Sequence, residues 1–103
     1  RDRLYFKQKT LKINNKIMKL LFFHSSWCGP CKALTPIVEE LKSTYDIWDI
    51  DVDEAEDTTL VKYKIRSIPV LILEDDQGKE LWKHVGSISK IDLENKLKEY
   101  ETN

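Results

Sequence analysis

"KLLFFHSSWCGPCKALTPIVEEL", residues 19–41, joins a short apolar run to a helical pattern through a polar segment that holds both cysteines of the chain. The run KLLFFH (19–24) suits a buried strand. After Cys31 the residues Ala33, Leu34, Ile37, Val38, Leu41 and Tyr45 recur at helical spacing and make one apolar stripe. Pro36 removes one amide donor from that helix, which predicts a kink rather than an end. DIWDIDVD (46–53) then alternates as a strand, with Trp48, Ile50 and Val52 on one face and Ile47, Asp49 and Asp51 on the other. A strand, a helix and a second strand joined this closely imply parallel pairing through a right-handed crossover.

Outward from this unit, AEDTTLVKYKI (55–65) reads as a short helix and PVLILE (69–74) as a buried strand opening on a proline. DDQG (75–78) is a turn, and KELWKHV (79–85) alternates after it, so the pair makes an antiparallel hairpin. The last helix runs from Ser89, a capping residue, to Tyr100, with Leu93 and Leu97 on one side. The order predicts an α/β domain, a central four-stranded mixed sheet flanked by helices on both faces. Residues 1–17 fit less well: Leu4 and Phe6 alternate like an edge strand, while Leu11, Ile13 and Ile17 follow neither period. Met18, the one methionine, stands just before the first strong strand. The reading is therefore a single domain over 1–103, its core 18–101, with 1–17 an extra, fifth edge strand or an N-terminal extension.

A chain of 103 residues is the size of one compact domain. Seventeen basic and eighteen acidic residues, interspersed, leave a formal charge of -1, without the clustered positive field that a nucleic acid partner requires. The uncharged apolar runs, Leu20 to Phe23 and Ile68 to Leu73, are far below the roughly 20 residues that span a bilayer. No signal peptide is readable before Met18, so the expectation is a cytoplasmic monomer with no membrane partner.

Cys28 and Cys31 stand where the helix begins. A thiolate is the nucleophile of disulfide chemistry, and unpaired amides and the dipole of a helix start favour it. This reading places Cys28 exposed beside Trp27, with Gly29 allowing a tight turn, Pro30 stiffening it, and Cys31 set one turn in to attack the sulfur of Cys28. Three plainer readings compete. A structural disulfide closing so small a loop removes little unfolded-state entropy. A zinc site from Cys28, Cys31, His24 and His84 matches no metal-binding spacing, so no metal is expected. Core filling disagrees with the polar, turn-forming neighbours.

WCGPCK (27–32), RSIPVLI (66–72) and VGSISK (85–90) together closely resemble the thioredoxin family, at the family's spacing with about one residue of slack after Asp53. The motif-borne resemblance runs from about Lys19 to the end and implies a thioredoxin fold and a protein-disulfide reductase. It implies a redox-active disulfide and no other cofactor. Cys28 becomes the attacking thiol and Cys31 the resolving thiol. Pro69 becomes a cis-proline facing them, with the Ile68 backbone free to hold an extended substrate segment. Trp27, Gly29, Pro30, Ile68, Val85 and Gly86 become an apolar docking surface. From spacing alone Pro69 is only a strand start, Gly86 a chain break and Trp27 a partly exposed aromatic.

Two departures accompany the resemblance. Where the family usually has a buried proton-relaying acid, six residues before the first cysteine, this chain has Phe22, and the lysine that accompanies that acid aligns with Asp49. Asp49 and His24 are thus the candidate proton carriers, His24 because its unperturbed pKa lies near neutrality; packing over the sheet is the plainer role for the histidine. The implied partners are disulfide-containing proteins, with recharging by thioredoxin reductase or by a dithiol donor of the glutaredoxin kind. Two alternatives stay open: a disulfide oxidase or isomerase of an oxidising compartment, and a binding module that uses the docking surface without turnover.

Overall fold

The computed structural model describes residues 11–13 and 16–101, so the expected edge strand at Leu4 and Phe6 lies outside the described residues. Its elements are β1 (Leu11–Ile13), β2 (Lys16–His24), α1 (Gly29–Leu41), β3 (Ile47–Asp51), α2 (Asp57–Lys62), β4 (Val70–Asp75), β5 (Glu80–Val85) and α3 (Lys90–Glu101). They form one five-stranded mixed sheet. β2 pairs β3 in parallel, Phe22 beside Asp49, and pairs β4 antiparallel, Phe22 beside Leu71. β4 continues into β5 as the expected antiparallel hairpin. The fifth strand is β1, which pairs the first residues of β2, Leu11 beside Met18. β2 accordingly starts at Lys16, three residues before the run that announces it in sequence.

Alternation along β2 and β4 splits the core in two. Leu20, Phe22, Leu71 and Leu73 face α1 and α3, against Leu34, Val38, Leu41, Leu93 and Leu97. Leu21, Phe23, Val70 and Ile72 face the other way, toward Leu60, Tyr63, Ile65 and Ile68. β4 is buried on both faces, which is why VLIL is uninterrupted rather than alternating. Each fully buried side chain of this kind contributes about 1.5–3 kcal/mol.

Helix ends follow from local chemistry. Ser89 Oγ accepts the Asp92 amide at 3.1 Å and caps α3. Pro36 lies inside α1, which runs on through it to Leu41. Ala33, expected in the apolar stripe of α1, is instead exposed; the face that meets the sheet is set by Cys31, Leu34, Val38 and Leu41. On β3 the alternation holds, yet Trp48 is 52% exposed, its ring beneath the Lys19 ammonium at 4.5 Å. Ile50 and Val52 of the same face are the ones that join the core.

Candidate functional site

β2 delivers the chain to the rim of the sheet at His24, and α1 carries it back down. Between them Cys28 is the N-cap residue of α1, extended at φ -91° and ψ 113°, and its Sγ accepts the Cys31 amide at 3.2 Å. Cys28 and Cys31 form a disulfide with their Cα atoms 5.2 Å apart. The first turn of α1 contains no acidic residue, so nothing there opposes negative charge on sulfur.

The expectation of an exposed Cys28 is corrected: it is only 5% exposed, and Cys31 1%. The loop between α2 and β4 covers it, with the Ile68 carbonyl oxygen 3.8 Å from Cys28 Sγ. Gly29 is also not the tight turn expected. It is the first residue of α1, followed by Pro30 at a position where the missing amide costs little.

The other sequence-derived residues gather around this pair. The Ile68–Pro69 peptide is cis. The Pro69 carbonyl accepts the Gly86 amide at 2.8 Å, tying the end of β5 to the loop, and Gly86 takes φ +100°, a conformation that favours glycine. Trp27 is 68% exposed and Val85, beside Val70 in the sheet, 56%. Trp27 is held by a contact that the sequence reading did not identify: its Nε1 donates to Asp53 Oδ2 at 2.8 Å, and Asp53 in turn is placed by its own amide bonding to Asp51 Oδ1 at 2.9 Å. An acid at the end of a strand signals a turn in sequence, and its role across 26 residues is visible only in the fold.

The two candidate proton carriers are placed differently. His24, at the end of β2, is half-buried with its ring 4.8 Å from that of Phe22. Asp49 has its carboxylate on the ammonium of Lys42, the C-cap residue of α1. Lys42 stands eleven residues from Cys31, about 16 Å along the helix axis, so this ion pair draws Asp49 away from the disulfide. Hydrogen bonds to Asp49 and Glu39 raise the Lys42 pKa. Among the described residues no cluster of three or more His, Cys, Asp or Glu is arranged to hold a metal ion, and no helix is long and apolar enough to cross a membrane.

The site thus consists of a strand, a helix-capping cysteine, its partner one turn in, and a cis-proline loop against them. The family model described as Thioredoxin matches residues 4–99. The chain belongs to the thioredoxin family. A thioredoxin from Mycoplasmoides gallisepticum is 41% identical over 91 residues, covering 85% of this chain and 87% of the relative. One from Staphylococcus epidermidis is 44% identical over 80 residues, covering 74% and 75%. In structure, a thioredoxin variant from Halobacterium salinarum superposes with a TM-score of 0.76 at 32% identity, covering 84% of this chain and 76% of that one. The match begins upstream of Lys19, where the motif-borne resemblance starts. As a member of the thioredoxin family the protein is a thiol-disulfide oxidoreductase of the protein-disulfide reductase type, which carries electrons on its own cysteine pair.

Proposed function

We propose that the protein reduces disulfides of other proteins through a two-step cycle at Cys28-Gly29-Pro30-Cys31. In the dithiol form, the Cys28 thiolate attacks one sulfur of a substrate disulfide. The substrate S–S bond breaks, a mixed disulfide forms, and one substrate sulfur leaves as a thiolate that takes up a proton. Cys31 then loses its proton and attacks Cys28 Sγ, closing the intramolecular disulfide and releasing the second substrate thiol. Two electrons and two protons pass to the substrate.

The observation that carries this reading is the Cys31 amide donating to Cys28 Sγ at 3.2 Å, at the start of a helix. That donor and the helix dipole favour the thiolate at Cys28 over the neutral thiol. The Ile68 carbonyl beside Cys28 suits an extended substrate segment bound by strand-like hydrogen bonds, with Trp27, Pro30, Val85 and Gly86 meeting its side chains. Recharging falls to thioredoxin reductase or another dithiol donor, and a reducing compartment such as the cytoplasm suits the cycle.

Replacement of the resolving thiol tests the assignment. Cys31→Ser should accumulate a mixed disulfide between Cys28 and a substrate protein, seen as an adduct in a non-reducing mass spectrum, and Cys28→Ser should give none. An adduct formed equally well at Cys31 in the Cys28→Ser variant would make the two thiols interchangeable and overturn the assignment.

A further inference from the structure

Next to the site, on the outer side of the loop joining α2 to β4, lies a depression of about 480 Å³ lined by Leu60, Val61, Lys64, Ile65 and Arg66. Leu60, Ile65 and Arg66 also line a smaller hollow of about 170 Å³ that reaches Trp27 and Ile68. The shared walls make one groove from the rim of the disulfide to Lys64. Its floor is apolar and its far rim is cationic.

The backbone at the far rim is unusual. The Ile65 amide bonds the Leu60 carbonyl at 2.9 Å and the Lys64 amide the Val61 carbonyl at 3.1 Å. These are the two bonds of a Schellman helix end, in which the residue after the cap is left-handed and usually glycine. Here it is Lys64, at φ 58°. The turn is fastened from behind by the Lys83 ammonium, which donates to the carbonyls of Tyr63 at 3.1 Å and Lys64 at 3.4 Å. A lysine is thus kept where glycine fits best, with both Lys64 and Arg66 exposed. Among the described residues neither side chain enters an ion pair. The carboxylates of this region, Asp53, Glu54, Glu56 and Asp57, precede or open α2, whereas the cations follow it.

From the apolar floor and this separation of charge we infer that the groove selects among disulfide-bearing partners, taking a segment with an apolar side chain followed by acidic residues. The apolar side chain fills the hollow between Leu60 and Ile65, and the acidic ones meet Lys64 and Arg66. Carboxylates at the other end of α2 repel the same segment run the wrong way, so charge fixes direction as well as choice. Lys64 and Ile68 are four positions apart, at most about 14 Å of chain, so the acidic residues lie within about four positions of the partner's reacting cysteine. This rests on the disulfide-reductase reading and adds the class of substrate to it.

The test uses disulfide-linked peptides whose cysteine is followed within four residues by Leu-Asp-Asp, Leu-Lys-Lys or Leu-Ser-Ser. For the wild-type protein kcat/KM should favour the acidic peptide over the basic one by about tenfold at low salt and by much less at high salt. Lys64→Gly should shrink that ratio, and Lys64→Glu, which sets a carboxylate beside Arg66, should abolish it. Equal turnover of acidic and basic peptides, or a preference that survives Lys64→Glu, overturns the inference while the reductase reading stands. If no peptide is reduced, the reductase reading fails instead. Calorimetric binding of the same peptides with Ser in place of Cys then decides the groove alone: tighter binding of the acidic one supports it, and equal binding overturns it.

Discussion

Phe22 and His24 stand where a proton carrier for the dithiol is expected, and both are packing residues. Phe22 is 1% exposed and fills with an apolar ring the place where the family usually keeps a carboxylate. His24 packs on that ring, 4.8 Å between centroids, with no hydrogen-bond partner for its imidazole among the described residues. A histidine oriented for proton transfer needs a partner that fixes its tautomer and direction. His24 therefore has a packing role. General acid-base catalysis contributes about 10²–10⁴-fold where it operates, so His24→Phe is expected to hold the rate of disulfide reduction within about threefold. The shape of its pH profile should also be unchanged; a profile shifted or flattened by the substitution would make His24 a proton carrier after all. The cysteines themselves were legible because two thiols three positions apart at a helix start admit little other chemistry. Ile68 was legible as a site residue only through the family resemblance, because 40 residues separate it from Cys28 and only the sheet brings them together.

At the scale of elements, α1, the β4–β5 hairpin and α3 can be read directly, since helical periodicity, DDQG and the Ser89 cap each have one plain meaning. β1 cannot. A three-residue strand shows no period, and its one sequence signal is the pair Asn14-Asn15 between two short runs. The left-handed end of α2 was equally hidden, because a lysine does not mark such a position as a glycine would. A left-handed side-chain-bearing residue costs about 1–2 kcal/mol, partly offset by the unfolded-state entropy of glycine. Lys64→Gly should therefore raise stability by roughly 0.5–1 kcal/mol in urea denaturation. A loss of stability would show that the Lys64 side chain holds the turn by packing.

At the scale of the whole molecule, the two-sided sheet buries one carboxylate among the described residues. Glu74 ends the PVLILE run and looks like a strand boundary in sequence, yet it is 2% exposed. The Tyr63 hydroxyl lies 2.9 Å and 3.2 Å from its two oxygens, a pairing that only the packing of α2 over β4 creates. Burial first, and then this hydrogen bond, push the Tyr63 pKa up to about 12. A folded pKa above the unfolded value of about 10 means that the contribution of Tyr63 is fully present below pH 10. It is lost as the pH rises toward 12. Tyr63→Phe should cost about 1–3 kcal/mol at neutral pH by leaving Glu74 without its donor, and should flatten the alkaline loss of stability. An unchanged alkaline limb would place that loss in other groups.

The thiol pair, the capped helix and the loop over it converge on one equilibrium. It is read by setting Cys28 and Cys31 against a graded series of reduced and oxidised glutathione and trapping the free thiols. The account predicts a pair more reducing than glutathione, still largely disulfide in mixtures that keep ordinary exposed protein disulfides reduced. A pair that glutathione readily reduces would mean that Phe22 and its neighbours have turned the same fold toward oxidation or isomerisation, and would contradict the reductase reading.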